Sequence, residues 1–302
     1  MNSLGTCYGY DIHSTMELSY LRGGKGDRLH VSVVDVDHPV PDEEPLLEWL
    51  PTEHPFGAAL WRLPTGLWQL WVDGVGWFRI DPQGLRIEVP VSTDLVRLEE
   101  RIWGIPTLLC FLERGDLPLH AAAVEIDGKA VVLAAPGHAG KTTLAGACAT
   151  AGFRVLSEDL TCIRFNDEHP SIIPGPAMIR LREDVSSHVK VPGNVLGTSE
   201  GRVHIGLDTA NRGTCEPVPL AAVYLLNKTP EGIAIEPHSP VDALSDLWGL
   251  SFRVPTDEDR TRCFNGVVDL VSEVPVYDLY RPLTYATLPQ VVRALEGSVL
   301  HA

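Results

Sequence analysis

The run "AVVLAAPGHAGKTTLAGACATAG", residues 130–152, decides how the rest of the chain is read. An apolar stretch suited to a buried strand leads into a glycine-containing loop, and a run of good helix formers follows. The loop ends in Gly140-Lys141-Thr142 and so approaches the phosphate-loop pattern G-x-x-x-x-G-K-[ST]. Ala135 stands where that pattern has its first Gly. The position is the exit of the strand, and a methyl group is tolerated there as long as φ is negative. Ala135 is therefore expected to show ordinary backbone angles, with Gly137 or Gly140 carrying any unusual one. Pro136 has no N–H to offer but fixes φ at the loop entrance.

A phosphate loop must aim several backbone N–H groups at one point, and the following helix adds its positive end. A Lys then reaches the β- and γ-phosphates, and a hydroxyl ligates Mg²⁺. The nucleotide-binding set read from this stretch is Gly137, His138, Ala139, Gly140, Lys141, Thr142 and Thr143. His138 either touches phosphate or faces solvent.

Working outward, "LPLHAAAVEIDGKAVVLAAP" (117–136) holds two apolar runs around Asp127-Gly128, a hairpin turn whose second arm enters the loop. On the other side, Gly152 is a helix stop. "FRVLSEDLTCIRF" (153–165) reads as a strand carrying two acids, Glu158 and Asp159, 17 and 18 residues after Lys141. A helix and a return strand cover that distance and bring the acids beside the loop. There they can hold Mg²⁺ together with Thr142, or act as a base. Arg180, Arg182 and Arg202 are cations that either neutralise phosphate or form surface ion pairs. Of these Arg202, beside Gly201, is assigned to the nucleotide.

Residues 1 to about 100 read as mostly β. "RLHVSVVDV" (28–36) alternates, and the Trp-rich runs of 58–89 are separated by Pro-Thr-Gly, Asp-Gly and Pro-Gln-Gly turns. Trp61, Trp68, Trp71 and Trp77 are read as core and cross-strand packing rather than a stacking surface for a ligand. Residues 94–114 have apolar positions at helical spacing, interrupted by Pro106, which marks a kink or the first turn of a second helix. After residue 166, short strands such as 221–227 alternate with Pro-rich loops, and 287–300 forms a closing helix.

At 302 residues, 44% hydrophobic and 21% charged, the chain can bury a core. The net charge of −16 argues against a nucleic-acid surface. The six dispersed cysteines form no C-x-x-C pair and are read as buried, reduced thiols. No signal peptide or membrane span is recognised, so a soluble, cytoplasmic protein is expected.

Residues 119–165 resemble the core of HPr kinase/phosphorylase and its HPr-kinase-like relatives. The shared features are a His opening a β-hairpin, the phosphate loop, a short helix ending in Gly, and a strand ending in two acids. "IIPGPAMIRLREDV" (172–185) is similar to a stretch of the smaller relatives found in peptide-biosynthesis clusters. The resemblance implies an α/β fold with a phosphoenolpyruvate-carboxykinase-like P-loop kinase domain, residues 115–302, behind a mostly β N-terminal domain, residues 1–114. It implies ATP and Mg²⁺ as cofactors and phosphorylation of a hydroxyl. Ser of a small or precursor peptide is the expected acceptor; a small-molecule acceptor, or a nucleotide-gated peptide-binding module without transfer, are the alternatives. By position, the family's proposed catalytic base falls on Glu158, its second acid on Asp159, and its hairpin His on His120; Lys141 completes the catalytic set. Thr143 stands where HPr kinases carry an acid, and their Gly-Leu-Gly-Ile-Ile-Asn-Val signature is absent. No nucleic acid or membrane partner is expected, and a homo-oligomer is compatible with the sequence.

Overall fold

A computed structural model describes residues 3–35, 38–50, 57–166 and 169–300. Strands β1 (Gly5–Cys7), β2 (Tyr10–Ser14), β3 (Asp27–Val34), β4 (Leu47–Trp49), β5 (Ala58–Arg62), β6 (Trp68–Val72), β7 (Gly76–Ile80) and β8 (Arg86–Pro90) form one sheet in the order β1-β2-β3-β8-β7-β6-β5-β4. The strand expected at 28–36 ends at Val34, and Val36 lies outside the described residues. Trp61 and Trp68 are buried, while Trp71 pairs with Trp77 across β6 and β7 with ring centroids 5.1 Å apart. The tryptophans are thus packing residues, as their cross-strand spacing suggested.

Two helices follow rather than one bent helix. α1 (Leu95–Ile102) is capped by the Asp94 side chain accepting from Arg97 N–H. α2 (Ile105–Glu113) takes Pro106 in its first turn, where the missing N–H costs nothing.

β9 (Leu117–Leu119), β10 (Ala121–Ile126) and β11 (Lys129–Ala134) lead into α3 (Lys141–Thr150). Asp127 and Gly128 have φ of 52° and 73°, the paired left-handed angles that a two-residue hairpin turn requires. Beyond α3 come β12 (Arg154–Ser157), β13 (Thr161–Arg164), β14 (Ser171–Ile173), β15 (Met178–Arg182), α4 (Glu183–Ser186), β16 (Gly193–Ser199), β17 (Arg202–Leu207), α5 (Thr209–Arg212) and β18 (Val218–Lys228). The chain closes with β19 (Ala234–Pro237), α6 (Pro240–Leu250), α7 (Asp257–Glu273), β20 (Val276–Arg281) and α8 (Leu288–Leu300).

The central sheet is mixed. β11 runs parallel to β18, and β18 to β20, while β10 lies antiparallel to both β11 and β12. Both faces are covered, which is why β10 and β11 read as apolar runs, broken only by Glu125 and Lys129 next to the hairpin turn. Ala122, Val124, Val131 and Leu133 pack with Leu144, Cys148, Val291 and Leu295 on one side. Ala121, Ala123, Val132 and Ala134 pack with Ala243, Leu247, Val267 and Leu270 on the other. β15, β17 and β16 form a separate three-stranded sheet. The fold is mixed α/β with several sheets, and no described helix is long and apolar enough to cross a membrane. All six cysteines are buried and unpaired.

Two expected continuous strands are each broken. His120 interrupts β9 and β10, and Glu158–Leu160 interrupt β12 and β13. The flanking strands still pair across the gaps, β9 with β13 and β10 with β12, so both breaks fall at one level of the sheet. The expectation of a single strand over 153–165 is corrected accordingly. Ser157 and Thr161 hydroxyls bond at 2.7 Å across the base of the bend, and the Tyr8 hydroxyl satisfies Leu160 C=O at 2.8 Å. The Tyr8 bond thus satisfies one of the backbone groups that the bend takes out of the ladder.

Candidate active site

The loop between β11 and α3 has the geometry its sequence demands. Ala135 has no positive φ, and its side chain is buried in the core beneath the loop. A glycine there would remove a packed methyl group, so the departure from the pattern is filled space, not a defect. Gly140 carries the unusual angle, φ 83°, as it caps α3. Gly137 does not; His138 does instead, at φ 64°, a left-handed conformation uncommon for a residue with a side chain. His138 is exposed and lines the cleft. The N–H groups of Gly137 to Thr143 meet no acceptor among the described residues, so they stand free to bind an anion.

These angles make a paired prediction. In Gly140→Ala the new Cβ would sit at positive φ and 3.0 Å from Arg281 Nη2. A loss of about 1–2 kcal/mol in denaturant unfolding is expected. Gly137→Ala meets nothing within 4 Å and should stay within about 0.5 kcal/mol of the parent protein. Equal stability for the two variants would remove the special role of Gly140.

Lys141 opens α3 yet is only 6% exposed. Its ammonium donates to Ala135 C=O at 2.7 Å and Pro136 C=O at 3.3 Å, and meets His120 Nε2 at 3.0 Å. Burial lowers the pKa of both Lys141 and His120. A neutral His120 then accepts from Lys141 through Nε2, and its Nδ1 faces Asp159 Oδ1 at 3.4 Å. His120, in the gap between β9 and β10, thus bridges the loop cation to the second acid.

The two acids differ in setting. The Glu158 side chain is 4% exposed, its Oε1 accepting from the Thr142 hydroxyl at 3.3 Å and its Oε2 from Arg180 Nε at 2.9 Å. Burial raises its pKa, and the attraction of Arg180 only partly offsets that. The Asp159 side chain is 47% exposed and accepts from Arg180 Nη2 at 3.2 Å. Burial of the group favours its neutral form, but Arg180 foremost, with His120 and Lys141, holds its pKa below the usual value.

Arg180, read from sequence as a phosphate ligand or a surface ion pair, is not a surface pair: its side chain is largely buried at the cleft. Its guanidinium clamps three carboxylates: Glu158, Asp159 and, at 2.5 Å through Nη1, Glu100 of α1. Arg182 is the surface pair, 3.3 Å from Asp184. Arg202 lines the cleft and donates Nη1 to Arg180 C=O at 3.5 Å. Glu100 was not singled out by sequence, since an acid in an amphipathic helix looks solvated; it is buried, with His204 Nε2 3.4 Å from its other oxygen. Its neighbour Glu99 accepts N–H bonds from Ser19 and Tyr20 at 2.8 and 2.9 Å, fixing α1 to the N-terminal strands.

His120, Lys141, Thr142, Glu158, Asp159, Arg180, Arg202 and Glu100 open into one cleft of about 760 Å³. The phosphate loop, His120, Glu158, Asp159 and Arg202 line its polar part. Trp49, Leu70, Val72, Trp103, Ile105 and Phe252 line an apolar part contributed mostly by the N-terminal sheet and the α1–α2 corner.

No protein-family model matches the chain, and no curated protein matches it. Among solved structures it is similar to the HPr(Ser) kinase/phosphatase from Coxiella burnetii. That match has 13% identity and a TM-score of 0.32, over 61% of this chain and 97% of the other. The likeness is a distant structural relation; the chemistry has to be read from the geometry above.

Thr142, Glu158 and Asp159 offer a hydroxyl and carboxylate oxygens beside the loop, the hard donor set that suits Mg²⁺. Among the described residues no group of three or more His, Cys, Asp or Glu forms an all-protein metal cage. A Mg²⁺ ion that keeps waters and phosphate oxygens needs none.

Proposed function

We propose that the chain is an ATP-dependent kinase with an HPr-kinase-like, phosphoenolpyruvate-carboxykinase-like P-loop fold, transferring the γ-phosphoryl group to a hydroxyl, Ser of a small peptide in the first instance. The observation that carries this reading is the convergence of loop and acids: Thr142 at the start of α3 touches Glu158 at 3.3 Å, in a cleft that continues past Asp159. Residues 115–302 would form the kinase domain, and residues 1–114 would supply the apolar wall that receives the acceptor.

The free N–H groups from Gly137 to Thr143 would bind the β- and γ-phosphates. Lys141, now bonded to two loop carbonyls, would turn to the phosphates when they arrive. Thr142, with Glu158 and Asp159, would hold Mg²⁺, which supplies charge neutralisation between the β- and γ-phosphates. Glu158 would take the proton of the acceptor hydroxyl. The hydroxyl oxygen bonds to the γ-phosphorus as the bond to the β-phosphate oxygen breaks, releasing ADP. A carboxylate whose pKa is raised by burial is a better base than Asp159, whose pKa is lowered. Arg202 would face the γ-phosphate.

Incubation with ATP, Mg²⁺ and the products of neighbouring genes, read by mass spectrometry, tests this. A gain of one phosphate on a peptide supports the proposal. A gain confined to a metabolite makes the protein a small-molecule kinase. Tight ATP binding with no product makes it a nucleotide-gated binding module.

A further inference from the structure

Buried guanidinium groups are expensive, and the fold houses two of them in different ways. Arg22 is 2% exposed with no carboxylate partner, but backbone carbonyls surround it: Gly175 at 2.7 Å, Val155 at 2.8 Å and Leu156 at 3.3 Å, with Arg212 and Pro176 also accepting. That is how this chain satisfies a purely structural arginine. Arg281 is 3% exposed and has no such shell. It makes one described hydrogen bond, Nη2 to Ala139 C=O at 2.6 Å, and its buried Nε has no partner among the described residues. Among the described residues no carboxylate pairs with it, in a chain of net charge −16. Burial accordingly lowers its pKa.

Its place explains the omission. Arg281 ends β20, and its guanidinium lies directly against the start of α3. A Cβ built on Gly140 would sit 3.0 Å from Nη2 and 3.8 Å from Cζ. Among the described residues its guanidinium bonds to a carbonyl of the loop and to nothing else. That bond lets the guanidinium hold the negative dipole end of Ala139 C=O, in the middle of the loop. The positive charge stands beside Gly140, the cap of α3, with no carboxylate paired to it among the described residues.

We propose that Arg281 is a further anion-binding element of the loop: a buried countercharge that the polyphosphate of a bound nucleotide completes. This deepens the kinase reading and rests on it. An unbalanced charge costs the empty protein stability and returns it on binding, because an anion entering the loop meets a cation that needs no reorganisation. It also gives Gly140 a second reason to lack a side chain, since a Cβ would separate the guanidinium from the loop.

Calorimetric titration with tripolyphosphate and with Mg²⁺·ATP tests the proposal on the full chain. The variants are Arg281→Met and Arg281→Lys, with thermal melting of each empty protein alongside. Arg281→Met should bind both ligands at least tenfold more weakly while melting no lower than the parent, and Arg281→Lys should recover part of the affinity. Undiminished tripolyphosphate binding by Arg281→Met overturns the proposal. So does a fall in melting temperature for both variants that accounts for their weaker binding, because Arg281 is then only a brace. If the parent protein binds neither ligand, the phosphate-loop reading itself fails and takes this proposal with it.

Discussion

Glu158→Gln is expected to lower phosphoryl transfer by about 10²–10⁴-fold, with a smaller loss of Mg²⁺·ATP affinity because Thr142, Asp159 and the amide oxygen remain to hold the ion. The amide keeps the shape of the side chain: its oxygen can accept from Arg180 Nε while its NH2 donates to the Thr142 hydroxyl, the two groups that now bond the carboxylate oxygens at 2.9 and 3.3 Å. What it loses is the capacity to take a proton. Folding should suffer modestly, because Arg180 keeps Glu100 and Asp159 but loses one of its three carboxylates. Burial, which pushes the Glu158 pKa up, makes a neutral group less costly there and limits the loss. The same logic separates the two acids. Asp159→Asn removes the group that faces His120 and the open cleft, so its loss should fall more on nucleotide and acceptor binding. Single-turnover measurement with saturating ATP distinguishes the outcomes. Full turnover in Glu158→Gln takes the base role away from Glu158.

The sequence made the loop legible because its chemistry is local. Gly140, Lys141 and Thr142 act through the backbone angles and helix end that they themselves create. The hairpin at Asp127-Gly128 and the stop at Gly152 were legible for the same reason. The acids were placed correctly beside the loop but on the wrong local structure. A run of β-formers either side of Ser157–Leu160 gives no sign of a bend, since the hydroxyl pair of Ser157 and Thr161 and the Tyr8 bond that sustain it are tertiary. Distance in sequence hid more. Glu100, Arg180 and Arg281 meet the site from α1, β15 and β20, and none carries a local pattern that separates it from a surface charge. The weak signal for Arg180 lay in its position between apolar Ile179 and Leu181 on a strand, both of them buried. The first residue of the phosphate pattern shows the opposite case, a mismatch in sequence explained by packing. Ala135 belongs to the core, and the loop begins after it.

Arg180→Met is expected to be the most destabilising single change at the site, by about 3–5 kcal/mol in denaturant unfolding at neutral pH. The guanidinium is held between Glu100, Glu158 and Asp159, and the first two side chains are each 4% exposed. Without it, two buried carboxylates lose their shared cation and Asp159 loses its nearest one. Met fills much of the same volume, so the cost is one of charge and not of a cavity. The pH dependence follows from the direction of the shifts. Glu158 already has a raised pKa, and Arg180 is the largest influence lowering it. Removing Arg180 raises that pKa further, so above about pH 4.5 the folded variant holds more protons than the unfolded chain. Its stability then falls as pH rises through that window, and the deficit shrinks below it, where the carboxyls are neutral in both states. A second substitution checks the assignment. Adding Glu100→Gln to Arg180→Met removes one of the orphaned charges and should recover part of the loss. The same Glu100→Gln in the parent protein should destabilise, because Arg180 then loses its 2.5 Å partner. Additive effects of the two substitutions, or a loss under about 1 kcal/mol for Arg180→Met, would mean that the charges are not coupled through Arg180.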